Sequence, residues 1–203
     1  MALTITYPPG LAGGCTPHFA IALRTPPVAE PLSLELAKIV LRVDDPFQDA
    51  WIAQQVTAAR ETVERDTGRW IAEAAYTVTY DAIPAAGVLT LPRGPVLTVE
   101  AIRVVDAAGV AVVIPASEYV IDTSEPPRLA LGAVSAASWW PAAGVRPRGA
   151  LEVDLVAGET PAPGWAVQAI ALLLELWRVP RAEEATTTAY DALIAPYVIP
   201  GMI

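Results

Sequence analysis

Hydrophobic spacing changes character along the chain, and each change marks a different kind of element. Between Leu32 and Arg69, Ile52, Val56, Ala59 and Val63 recur at spacings of four, three and four, one apolar stripe at the helical period. The stretch predicts two punctuated helices. Ser33 is a good N-cap for the first, and Asp45-Pro46 opens the second, with Gln48 placed to complete a capping box and Gly68 to close it. The opposite face of the second helix is charged. Arg60 with Glu64 and Glu61 with Arg65 are opposite-charge pairs four apart, each adding about 0.2 to 0.5 kcal/mol.

From Trp70 to about Ala157 the period shortens to β runs: YTVTY at 76–80, VLTVEAIRVV at 96–105, VAVVI at 110–114, YVI at 119–121 and LEVDLV at 151–156. Leu151, Val153 and Leu155 alternate with Glu152 and Asp154, as a half-buried strand requires. Asp106-Ala-Ala-Gly109 between two runs reads as a hairpin turn. After Pro163 comes GWAVQAIALLLELWRV, apolar nearly all round and stopped by Pro180, which fits a helix buried on most sides. A short helix fits 186–195, and the ending PYVIPGMI is apolar and broken by Pro196, Pro200 and Gly201.

The first 31 residues hold six prolines and Gly10, Gly13 and Gly14, so they sustain no helix and make poor central strands; they read as an extended arm, mobile in an isolated subunit. The chain thus divides into an arm (1–31), a helix pair (32–69), a β region (70–162), C-terminal helices (163–195) and a tail (196–203).

Composition narrows the function. With 54% hydrophobic and 17% charged residues in 203 positions, the chain can bury a sizeable core. A formal charge of −9 argues against a surface that neutralises phosphates, while leaving room for DNA to pass without sticking. No run reaches the roughly 18 to 20 apolar residues of a membrane span, and the N-terminus does not have the pattern of a signal peptide; a cytoplasmic origin is expected.

Tests for chemistry fail one by one. Cys15 and His18 are the only cysteine and histidine, so the usual ligands build no metal site, and a Cys-His nucleophile pair would need rigid geometry in a Pro/Gly-rich segment. There is no nucleophile elbow, phosphate-binding loop or dinucleotide fingerprint, so no cofactor is expected and the chain does not read as an enzyme. Asp44-Asp45 and Glu183-Glu184 are explained by capping and by solvation past a helix end. Trp139-Trp140 has two readings, core plugs or an interface anchor.

The order LSLELAKIVLRVDD, D-x-W-I, ARETVERDTGRW, LPRGPV, a late WP, LEVDLVAG, PGWAVQAI and a terminal LIAPY resembles the head-tail connector proteins of long-tailed bacteriophages and the adaptors of gene transfer agents. The match spans about residues 30–198. The resemblance implies an α+β fold, a small helical bundle (32–69 and 163–195) with an inserted antiparallel β domain (70–162). It implies a head-completion role in the neck of a virion or gene-transfer-agent particle, as a homo-oligomeric ring of about twelve copies between the portal protein and downstream neck or tail proteins, with DNA passing through unbound. On that reading Tyr197, Val198, Ile199, Met202 and Ile203 are candidate portal contacts, or fold back on their own core helix. Arg60, Glu61, Glu64 and Arg65 are a candidate subunit interface or a solvated helix face, and Trp139 and Trp140 a candidate subunit or tail interface. A monomeric protein-binding module and a Cys-dependent enzyme are the rival classes.

Overall fold

A computed structural model describes residues 18–83, 87–132, 144–178 and 184–199. They form a mixed α+β structure of four helices and two antiparallel sheets. The helices are α1 (Leu34–Leu41), α2 (Asp49–Thr67), α3 (Gly164–Arg178) and α4 (Glu184–Ile194).

The helix boundaries follow their sequence signals closely. Ser33 caps α1 by accepting from the Leu36 N–H at 3.3 Å, and Arg42, with φ 52°, ends it in the left-handed region. Asp45 accepts from the Phe47 N–H at 3.0 Å, but the turn it opens, Pro46–Gln48, is 3-10 rather than α. The expected capping box is therefore absent: Gln48 makes no side-chain cap bond, and α2 proper begins one residue later. Gly68, with φ 67°, closes α2.

The larger sheet has the order β1-β2-β8-β4-β5, with β1 at Phe19–Thr25, β2 at Ala74–Tyr80, β4 at Val96–Val105, β5 at Ala111–Val113 and β8 at Leu151–Ala157. The smaller has the order β3-β7-β6, with β3 at Val88–Thr90, β6 at Tyr119–Asp122 and β7 at Arg128–Leu131. Strand β8 sits centrally, pairing Val153 with Val78 on one side and Ile102 on the other. The 106–109 hairpin forms as its residues require: the Asp106 carboxylate accepts from the Ala108 and Val110 N–H groups, and Gly109 takes φ 87°.

Strand β1 refines the reading of residues 1–31 as an extended arm. Phe19 to Leu23 run antiparallel to Tyr80 to Tyr76, so part of that segment is an edge strand. Pro26 follows it without entering it, and an edge tolerates a proline at its end because one side of the backbone needs no partner. Only Ile21 of the seven residues is better than exposed, which removes the alternation by which a strand is recognised.

Two apolar clusters form. One lies among the strands and unites both sheets through Val78, Tyr80, Leu89, Ile102, Leu129 and Leu155. The other joins all four helices through Leu41, Ile52, Val56, Val63, Ile170, Leu173 and Tyr190. Helix α3 buries Ala166, Ala169, Ile170, Leu173 and Leu174, a stripe rather than its whole circumference; Glu175 and Trp177 face solvent.

Candidate assembly surface

The charged side of α2 is divided between the interior and the surface. Arg60 and Glu64 are each 3% exposed, so they do not belong to an outer face. Arg60 donates from Nε to Glu30 Oε2 at 2.8 Å and from Nη1 to Glu64 Oε2 at 2.9 Å, while Glu64 Oε1 accepts from the Ile71 N–H at 3.0 Å. Glu30 also accepts from the Thr57 hydroxyl at 2.9 Å. The chain of bonds ties the segment before α1 to α2, and α2 to the first residues of the β region. Burial pushes the Glu64 carboxyl up, and Arg60 and the Ile71 N–H oppose that shift without cancelling it. Burial works against the Arg60 charge, but Glu64 and Glu30 outweigh it and hold its pKa above the ordinary value.

Glu61 and Arg65, the other two residues of the charged face, remain at the surface with side chains 62% and 66% exposed. They line a cleft of about 310 Å³ with Ile21 and Leu23 of β1, Tyr76 of β2, Arg93, and the edges of Arg60 and Glu64. Two groups in this cleft are incompletely used. The buried Tyr76 hydroxyl has no hydrogen-bond partner among the described residues, although its ring stacks on Trp70 at 4.9 Å. Burial, with help from Glu64, pushes that phenol up, so it remains a donor at any physiological pH. Arg93 is half-buried and makes no hydrogen bond or ion pair among the described residues, though its charge is close enough to act on Glu64 and Tyr76.

At the opposite end of α2 lies an apolar corner that the sequence reading passed over. Phe47 is 95% exposed, Trp51 51%, Leu36 50% and Ile39 70%. Lys38 Nζ bonds Asp49 Oδ1 at 2.7 Å and fixes the corner between the two helices. A signal existed: Trp51 stands beside the Ile52 stripe rather than in it, and Phe47 precedes the helix altogether. Asp44, next to this corner, is exposed and makes no ion pair or hydrogen bond among the described residues.

The described part of the tail packs against its own chain. Tyr197 stacks on Trp165, the Arg69 Nε donates to the Tyr197 carbonyl at 2.7 Å, and the Ile199 N–H donates to the Thr67 carbonyl at 2.9 Å. Ile199 is 4% exposed and Val198 half-buried. Arg69 also pairs with Glu125, so one guanidinium joins the tail to the loop between β6 and β7. Of the remaining candidates, Cys15, Trp139, Trp140, Met202 and Ile203 lie outside the described residues. His18 is described: it is exposed at the start of β1 with its Nδ1 3.3 Å from Asp81.

Among the described residues no group of His, Cys, Asp or Glu could hold a metal ion, and no helix is long and apolar enough to cross a membrane.

No family model and no curated protein matches the sequence. Solved structures do match. A chain from the neck of an empty GTA particle, computed with C6 symmetry, superposes with a TM-score of 0.70 at 25% identity, over 88% of this chain and 95% of that one. A chain of the native gene transfer agent virion gives 0.68 at 23% identity, covering 90% and 99%. One from the neck of the native GTA particle, computed with C12 symmetry, gives 0.61 at 24%, covering 87% and 95%. Over 87% to 90% of its length, this chain is similar in fold to neck and virion chains of gene transfer agents.

Proposed function

We propose that this chain is a structural protein of the virion neck, an adaptor that assembles as a ring between the portal and the tail of a gene transfer agent or phage. The carrying observation is the similarity to the neck chain at a TM-score of 0.70 across 95% of that chain's length. The work of such a protein is geometric. Each copy contacts the next through two different surfaces, and a rotation that closes makes a ring with a channel for DNA. A charge of −9 suits a channel wall that DNA passes without binding. The helices form the body of each copy, and the β region, inserted between α2 and α3, projects from it.

In this reading the segment from Tyr197 to Ile203 reaches the portal. Tyr197 and Ile199 anchor its root on α2 and α3, and Val198, Met202 and Ile203 offer apolar contact. Glu61 and Arg65 face a neighbouring copy, Arg60 and Glu64 brace that surface from within, and Trp139 and Trp140 are assigned to a subunit or tail contact. Negative-stain imaging of the purified chain, alone and with portal protein of the same particle, tests the proposal. Rings seated on the portal are expected; a chain that stays monomeric and unbound overturns it.

A further inference from the structure

We infer that the cleft lined by Arg93, Arg65 and Tyr76 receives the Asp44–Phe47 corner of the next copy of this chain, making the head-to-tail contact of the ring. The inference rests on the neck-ring reading above and names its interface.

Four observations support it. First, the cleft holds unspent binding capacity: the half-buried Arg93 guanidinium makes no hydrogen bond or ion pair, and the buried Tyr76 hydroxyl no hydrogen bond, among the described residues. A buried donor left unpaired is a cost already borne, and a carboxylate arriving here recovers part of it. Second, the corner offers the complement. Asp44 is an exposed carboxylate with no partner among the described residues, and Phe47, three residues on, is 95% exposed. Large apolar side chains this open beside unpaired charge mark an interaction surface. Third, charge selects the occupant. Of the cations lining the cleft, Arg60 is taken by Glu30, Glu61 and Glu64 and Arg65 by Asp66, which leaves Arg93 without an ion pair among the described residues and able to draw another copy's Asp44.

The fourth observation is geometric. Trp51 and Arg65 are both on α2, fourteen residues apart, which puts corner and cleft about 21 Å apart along one rigid helix. A single patch that met itself would close a dimer and stop. Two complementary patches at opposite ends of one helix instead propagate from copy to copy, and close into a ring when the rotation per step allows.

Charge reversal tests the contact. The variants Asp44→Arg and Arg93→Glu are each measured by light scattering during size exclusion at low salt, beside the wild type, with thermal melts to confirm that both fold. The wild type should run at ring mass. Each variant alone should run as a monomer, because Asp44→Arg sets cation against cation and Arg93→Glu sets carboxylate against carboxylate. Mixed in equal amounts, the two should regain ring mass, since each then supplies the charge the other needs. Single variants that still form rings, or a mixture that stays monomeric, overturn the contact while leaving the ring reading standing. A wild type that stays monomeric both alone and with portal protein of the same particle overturns the ring reading and this contact together.

Discussion

The indole of Trp165, in the first turn of α3, and the phenol of Tyr197 stack with ring centroids 4.2 Å apart and planes within 8° of parallel. The stack joins an early residue of the C-terminal helix to the last turn of the described chain, and it holds the tail root in one place. Stacked aromatic pairs contribute about 0.5 to 1.5 kcal/mol beyond the area they bury. Tyr197→Ala should therefore lower unfolding free energy by about 1 to 3 kcal/mol, with loss of near-ultraviolet circular dichroism. Denaturant titration measures it; an unchanged midpoint would mean that the tail is not seated in solution.

The buried ion pair makes a sharper demand. Arg60 and Glu64 lie 3% exposed, with Glu30, the Ile71 N–H and, at 3.7 Å from the Arg60 Nη2, the exposed Glu61 as their remaining partners. Removing one member of such a pair leaves an uncompensated buried charge and costs about 3 to 5 kcal/mol. Glu64→Ala should therefore lower the melting temperature sharply, while Glu61→Ala, at a side chain 62% exposed, should leave it within about 0.5 kcal/mol of wild type. Equal melting of the two variants would refute the assignment of inside and outside on α2.

The same pair shows what the sequence could and could not disclose. The stripe of Ile52, Val56, Ala59 and Val63 was legible because all four residues lie in one helix, whose period is fixed. Their burial is complete, from 0% to 2%. Arg60 and Glu64 looked like surface residues because the groups that cover them, Glu30 and Ile71, lie 30 and 7 residues away. Local periodicity carries no information about such partners. Strands β2, β4, β5, β6 and β8 and the Asp106 hairpin were visible as alternating or apolar runs, whereas β3 and β7 stand between turn residues, Gly87 and Pro92 around β3 and Pro127 and Gly132 around β7, which hid them. The exposed corner at Phe47 was written in the sequence, but only the fold shows that nothing in the described chain covers it.

The apolar stripe gives the third prediction. Ile52→Asp and Val56→Asp each put a carboxylate into the apolar cluster of the helices, where exposure is 0% and 2%. An unpaired buried charge costs several kcal/mol against a total stability of about 5 to 15, so both variants should be unfolded or expressed as aggregates. Circular dichroism decides it, and a cooperative melt at the wild-type temperature for either would place the stripe on the wrong side.

Acid should act through Asp154. Its side chain is 4% exposed; burial alone would raise its pKa, but the hydrogen bonds from Arg103 and Thr77, both 2.6 Å, and the nearby charges of Arg103 and Arg24 leave it lowered. A carboxyl whose folded pKa lies below its unfolded value stabilises the fold above the unfolded value and loses that contribution as pH falls through the folded one. The gap in stability between wild type and Asp154→Asn should be full at neutral pH and shrink below about pH 4. Glu64, whose pKa is raised, acts in the opposite sense, so Glu64→Gln should not reproduce the shrinkage. A gap independent of pH would show that Asp154 acts through its shape and not its charge.

Hydrogen exchange should rank the strands by how they are bonded. Strand β8 is paired on both sides, with β2 and β4, and its Leu151, Val153 and Leu155 are fully buried, so its amides should exchange only on global unfolding. Strand β1 is paired on one side only and six of its seven residues are exposed, so it should open locally. Its amides bonded to β2 are expected to be protected, but less than those of β8. The Ile199 N–H, held by the Thr67 carbonyl under a residue 4% exposed, should be protected as well. These expectations hold for the isolated chain, because each bond is made within it. Mass-spectrometric exchange on peptides spanning 19–25, 151–157 and 195–199 gives the ranking directly. Exchange of 19–25 at the rate of an open chain would show that β1 forms only in an assembly.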